Sequence, residues 1–86
     1  MQDSRTPLPR QPRIRLDVTA CLICSDGEKL KVTVIDLSSD GFRVKVPEPL
    51  FVNERVQLEM GRAGFADAVI RWVSDGEAGG VFAPAL

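Results

Sequence analysis

The sequence predicts an all-β fold: a small six-stranded antiparallel barrel with an extended N-terminal arm and little or no helix. Six short segments alternate apolar and polar residues, and turn-forming residues separate them at nearly regular spacing. No segment has a helical period over ten or more residues. The 86 residues suffice for one domain with one core. Closing the sheet into a barrel removes unpaired strand edges, so we expect a barrel rather than an open sandwich.

Residues 1–14 are predicted to form a flexible arm, and residues 15–86 to form the barrel domain. Three prolines in the arm, Pro7, Pro9 and Pro12, disfavour a helix or a central strand. Residues 1–15 carry a net charge of +3 and the remainder −4. An acidic body lacks the basic face of a general DNA- or RNA-binding protein, whereas a short arginine arm suits a small anionic ligand. A solvated arm without ligand contacts is the alternative.

The first two strands are predicted to form a hairpin. Alternation begins at Leu16 and continues to about Ser25, and Asp26-Gly27 then supplies a strong short hairpin signal. Alternation resumes immediately after this turn. The residues predicted to face the core are Leu16, Val18, Ala20 and Leu22 in the first strand and Leu30, Val32 and Val34 in the second.

A polar stretch with the pattern D-x-S-x-x-G separates the second strand from the third. It contains Asp36, Ser38 and Gly41 at fixed offsets. Asp and Ser side chains bond nearby backbone N–H groups in tight turns, and glycine adopts positive φ or admits a close neighbour. The stretch therefore predicts either a simple capped turn or a turn that binds a ligand.

Four further strands are predicted after this turn. In the third, Arg43 and Lys45 point outward, and Pro47 ends the alternation. Asn53 precedes the fourth and could instead cap a short helix. Trp72, in the fifth, is interpreted as core or barrel-rim packing, because a lone aromatic residue in an apolar strand is usually buried. The predicted spans are residues 42–46, 54–60, 65–73 and 80–82, with turns at 61–64 and 74–76.

The two cysteines, Cys21 and Cys24, are predicted to be structural. Their three-residue offset on a strand places them on opposite faces, and the sequence has no histidine to complete a zinc site. Without a base beside Cys24 or a metal cluster, we expect no enzyme activity and no cofactor. No apolar run is long enough for a membrane span and no secretory signal precedes the domain, so the expected compartment is the cytoplasm.

The combined pattern resembles the PilZ domain, a bacterial receptor module for cyclic di-GMP. The resemblance covers roughly residues 10–83 and rests on the arginine arm, the D-x-S-x-x-G turn, and two closing segments, Val69–Val73 and Gly79–Phe82. The arm departs from the family pattern R-x-x-x-R. Arg13 aligns with the second arginine, whereas Pro9 occupies the position of the first and Arg10 lies next to it.

The resemblance implies a ligand on the outside of the barrel, where the arm folds over the turn. The implied ligand set is Arg10, Arg13, Asp36, Ser38 and Gly41. Arginine pairs with phosphate or guanine and stacks on bases, and Asp36 can accept the N1–H and N2–H₂ donors of guanine. Ligand binding would order the arm and signal to a downstream protein. The alternative is a nucleotide-independent protein–protein interaction domain, in which Asp36 and Ser38 only cap their turn.

Overall fold

A computed structural model describes residues 14–83, and these residues form six β-strands. A three-residue 3₁₀ turn, Gly61–Ala63, lies between the fourth and fifth strands, and residues 14–83 contain no α-helix. The described part of the chain therefore has no helix that could cross a membrane. The predicted all-β class is confirmed. The strands are β1 (Ile14–Ile23), β2 (Lys29–Leu37), β3 (Gly41–Lys45), β4 (Arg55–Glu59), β5 (Phe65–Ser74) and β6 (Glu77–Phe82).

The strands close into an antiparallel barrel in the order β1-β2-β3-β6-β5-β4, with β4 pairing back onto β1. The predicted Asp26-Gly27 hairpin connects β1 to β2, and Gly27 has a φ of 90°. Asp75 and Gly76 connect β5 to β6 with φ values of 49° and 78°. Positive φ at both positions is what a type I′ hairpin turn requires, and its twist matches that of the flanking strands.

The core fills the inside of the barrel, and every strand contributes to it. The largest fully buried side chains include Phe42, Leu22, Leu58 and Ile70. Burial of each stabilises the fold by about 1.5–3 kcal/mol relative to exposure. The Phe42 ring also packs against Phe82, with ring centroids 5.5 Å apart and planes tilted by 44°. The predicted inward residues of β2 are buried, as are Phe42 and Val44 of β3, which confirms the alternation there.

Strand β1 differs from the prediction in two respects: its first residue, and the exposure of one residue that was predicted to face the core. It begins at Ile14 rather than Leu16, because Ile14 pairs with Leu37 of β2. A bulge between Arg15 and Val18 then interrupts the pairing. Val18, predicted to face the core, is 40% exposed because β4 pairs with β1 only from Cys21 onward.

The bounds of β4 and β6 also differ from the prediction. No helix precedes β4 within the described residues; Asn53 adopts a φ of 73° and donates its N–H to the Ile70 carbonyl at 2.7 Å. The chain therefore enters β4 directly. Strand β6 begins at Glu77, three residues before the predicted start, because the tight turn allows Glu77 to pair with Ser74.

Two more bulges reverse the alternation in β2 and β5. Ile35 is the extra residue in the pairing of β2 with β3, and Arg71 is the extra residue in the pairing of β5 with β6. An extra residue turns every following side chain to the opposite face of the sheet. Asp36 and Trp72, the residues directly after these bulges, consequently lie on the outside of the barrel.

The two cysteines are free and occupy different environments, as predicted. Cys21 is half-buried on the outer face of β1, and Cys24 follows the strand and packs in the core. Burial raises the pKa of the Cys24 thiol to about 11, and the nearby Glu54 and Asp26 carboxylates add to this shift. Cys24 is therefore an unreactive thiol at neutral pH.

Candidate functional site

Five neighbouring strands each place one residue in a single row across the outside of the barrel. Arg15 in β1 lies opposite Asp36 in β2, which lies opposite Arg43 in β3. Arg43 lies opposite Gly79 in β6, which lies opposite Trp72 in β5. Directly paired residues share a face of the sheet and have neighbouring Cβ positions. We call these five positions the outer row.

An ion pair between Asp36 and Arg43 forms the centre of the outer row. Asp36 Oδ2 accepts a hydrogen bond from Arg43 Nε at 3.2 Å and lies 3.0 Å from Arg43 Nη2 in the same ion pair. The Asp36 side chain is only 12% exposed and that of Arg43 is 39% exposed. Charge-assisted bonds to a carboxylate this buried are stronger than those of an exposed surface pair. The pair therefore fixes both side chains against the barrel wall.

Trp72 lies at one end of the outer row and is 41% exposed. Its indole covers Gly79, since a Cβ built on Gly79 would overlap the Trp72 ring nitrogen. The absence of a side chain at Gly79 allows the ring to lie close to β6. Of the two interpretations of Trp72, core packing is wrong, because the Arg71 bulge turns the side chain outward, where the indole packs over Gly79.

A shallow cavity of about 270 Å³ opens beside the ion pair, lined by Asp36, Phe42, Arg43 and Trp72. It combines a carboxylate, a guanidinium and an aromatic ring. A planar heterocycle could stack on the indole, donate N–H groups to the carboxylate and present acceptors or negative charge to Arg43. The chemistry of this lining thus suits a nitrogenous base better than an aliphatic ligand.

Ser38 and Gly41 shape the connection between β2 and β3. Ser38 Oγ accepts hydrogen bonds from the N–H groups of Gly41 at 3.2 Å and Asp40 at 3.3 Å, as a capped turn requires. Gly41 begins β3, and a Cβ there would overlap the carbonyl oxygen of Gly80. Gly41 is thus needed for the close approach of β3 to β6. The predicted ligand contacts of both residues remain predictions.

Arg10 and Arg13 lie outside the described residues 14–83. The chain nevertheless enters the barrel close to the predicted site, because Ile14 pairs with Leu37, the residue after Asp36. Of the predicted site residues, Asp36 lies at the end of β2, Ser38 in the turn that follows, and Gly41 at the start of β3.

Sequence reasoning did not assign Arg15 or Trp72 to the site, and it placed Arg43 on the outer face of its strand without including it in the ligand set. Alternation did place Arg43 outward, but its pairing with Asp36 depends on the Ile35 bulge. Arg15 is 70% exposed and contacts Asp17 at 3.2 Å. Its position opposite Asp36 follows only from the strand register.

One known protein family matches this sequence. The family model described as PilZ domain matches residues 7–84, nearly the whole chain. The matched region includes the described barrel, the D-x-S-x-x-G turn, and the segment that carries Arg10 and Arg13. A search of curated proteins found no match.

Proposed function

This chain belongs to the PilZ domain family, and from that premise we propose that it is a bacterial cytoplasmic receptor domain for cyclic di-GMP. PilZ domains are binding modules rather than enzymes. We propose that the ligand lies on the outside of the barrel, over the outer row, and that the signal passes to a downstream protein.

The observation that carries this proposal is the convergence of a carboxylate, a guanidinium and an indole on one shallow cavity. Guanine presents N1–H and N2–H₂ donors on one edge, which match an acceptor such as Asp36. Its ring can stack on Trp72, and Arg43, which lines the same cavity, holds the Asp36 carboxylate in place. A base without the N1–H donor would lack this hydrogen bond to the carboxylate, and hydrogen bonds to charged groups contribute about 1.5–3 kcal/mol.

The two phosphates of the ligand are assigned to the arginines of the arm. Arg10 lies four residues before Ile14, a span of about 14 Å at most in extended chain. Arg13 directly precedes Ile14 in the sequence, and Ile14 pairs with Leu37, the residue after Asp36. In this proposal both guanidinium groups pair with phosphate, Ser38 contributes its hydroxyl, and Gly41 keeps the adjoining backbone close.

We further propose that ligand binding orders the arm. An arginine-rich segment has few apolar residues that could pack against the barrel, and the two phosphates would supply negative charges that pair with its arginines. Ordering of the arm would change the surface presented to a protein partner. The ligand would then act by shifting the equilibrium toward the conformation with the ordered arm.

A nucleotide-independent interaction domain is the second candidate. Ser38 already caps its own turn, and Asp36 already pairs with Arg43. In addition, Phe51 and Val52, in the loop between β3 and β4, are 77% and 54% exposed and offer apolar surface to a protein partner.

Isothermal titration calorimetry with cyclic di-GMP tests the proposal. We expect saturable binding by the unaltered protein and an affinity about 10–150-fold lower for Asp36→Asn, since hydrogen bonds to a charged group contribute about 1.5–3 kcal/mol. Arg13→Ala should also weaken binding. Asp40→Asn is the matched control, because Asp40 is an exposed acid in the same turn. Absence of heat from the unaltered protein at tens of micromolar ligand would favour the second candidate.

A further inference from the structure

We propose that Arg43 is a positioning residue that fixes the Asp36 carboxylate for base discrimination, and that Glu77 anchors Arg43 from the opposite side. This inference rests on the proposed function and deepens it. It concerns how the site distinguishes guanine from other bases, which the D-x-S-x-x-G pattern alone does not explain.

The guanidinium of Arg43 contacts the Asp36 carboxylate through two of its nitrogens. Nε donates a hydrogen bond to Asp36 Oδ2 at 3.2 Å, and Nη2 lies 3.0 Å from the same oxygen. This charge-assisted hydrogen bond and ion pair restrict both the rotation of the carboxylate and the position of the guanidinium plane. The carboxylate therefore has a fixed orientation before a ligand arrives, and this lowers the entropic cost of binding.

Glu77 contacts the Arg43 guanidinium from the side opposite Asp36. Arg43 Nη1 lies 3.8 Å from Glu77 Oε1, on β6, while Nε and Nη2 contact β2. The guanidinium thus bridges the outer faces of three adjacent strands. At 3.8 Å, with the Glu77 side chain 32% exposed, this second contact is the weaker one. It restrains Arg43 without competing for the bonds to Asp36.

A carboxylate held in one orientation discriminates between bases. It binds more tightly to a ligand whose N–H donors reach it in that orientation than to a ligand that lacks those donors. Adenine lacks the N1–H donor of guanine, so cyclic di-AMP is the natural comparison ligand. If Arg43 acts through Asp36, its loss should reduce the preference for cyclic di-GMP over cyclic di-AMP rather than weaken both ligands equally.

A double-mutant cycle tests this assignment. The preference, defined as the ratio of the Kd for cyclic di-AMP to that for cyclic di-GMP, is measured in the unaltered full chain, Arg43→Gln, Asp36→Asn and the double variant. We expect Arg43→Gln to reduce the preference about tenfold in the unaltered chain and less than twofold in the Asp36→Asn background, because residues that act together are not additive. Glu77→Gln should reduce the preference by a smaller factor, about two- to threefold.

Two further variants separate positioning from charge. Arg43→Lys keeps the charge but not the planar fork, so we expect it to lose the preference as Arg43→Gln does. Lys45→Gln removes an exposed outward cation from the same strand and should leave the preference unchanged. Urea unfolding of each variant confirms that it is folded.

The outcomes distinguish this inference from the proposed function. Three results would overturn the positioning role alone. Arg43→Gln could weaken the binding of both ligands equally, Arg43→Lys could retain the full preference, or Arg43→Gln could reduce the preference as much in the Asp36→Asn background as in the unaltered chain. No binding of cyclic di-GMP by the unaltered protein would overturn the proposed function and this inference with it.

Discussion

Replacing Gly41 by alanine should destabilise the barrel even in the absence of ligand. A Cβ at this position would overlap the carbonyl oxygen of Gly80 and would lie 3.3 Å from two further backbone atoms of β6. A flexible side chain could move away, but the backbone of a paired strand cannot move without disturbing its neighbours. Strands β3 and β6 would have to separate, at the cost of the pairing between Gly41 and Val81.

The size of the stability loss depends on the overlap between the new Cβ and the backbone of β6. Overpacking in a well-packed interior typically costs about 1–3 kcal/mol, and we expect Gly41→Ala to lie at the upper end, near 3 kcal/mol. A domain of this size has a free energy of unfolding of about 4–13 kcal/mol. A loss of this size would lower the Tm by roughly 12–24 °C.

Urea denaturation followed by circular dichroism measures this effect. The midpoint should fall while the slope of the transition stays constant, because the surface exposed on unfolding is similar. Ser39→Ala, at an exposed position in the same turn, is the control and should change stability by less than about 0.5 kcal/mol. A Gly41→Ala variant as stable as this control would refute the role of Gly41 in strand packing.

Two other predictions concern Trp72 and the thiols. Gly79→Ala should displace the indole of Trp72, shift its fluorescence emission and weaken cyclic di-GMP binding. The loss of stability should be smaller than that of Gly41→Ala, because the new Cβ meets a movable side chain rather than backbone. Unchanged emission would contradict this prediction. Cys21 should react with a thiol reagent at pH 8, whereas the buried Cys24 should not. The free energy of unfolding should fall between about pH 9 and 11, because the unfolded chain loses the Cys24 proton in this range and the folded chain retains it. In Cys24→Ala this fall should be smaller.

The sequence predicted the parts of the fold that depend on local pattern. Alternation identified Val34 and Val44 as inward residues and Arg43 as an outward one, because each lies in an uninterrupted stretch of a strand. Asp26-Gly27 predicted its hairpin, because positive φ is a local property of glycine.

The composition of the outer row was less predictable, because bulges depend on pairing between distant segments. The bulge at Ile35 moves Asp36 to the outside, and the bulge at Arg71 does the same for Trp72. Continued alternation from Val34 or Ile70 would have placed both residues inside. Two of the side chains that line the cavity, Asp36 and Trp72, are therefore ones that a strict period of two assigns to the wrong face.

The central claim is that the cavity beside Asp36 and Trp72 binds cyclic di-GMP. The sequence contains one tryptophan, so the NMR spectrum of the ¹⁵N-labelled protein contains a single indole N–H signal, that of Trp72. Titration with cyclic di-GMP should shift this signal progressively to saturation, and Asp36→Asn should suppress the shift. An indole signal that stays in place while the ligand reaches hundreds of micromolar would contradict the claim.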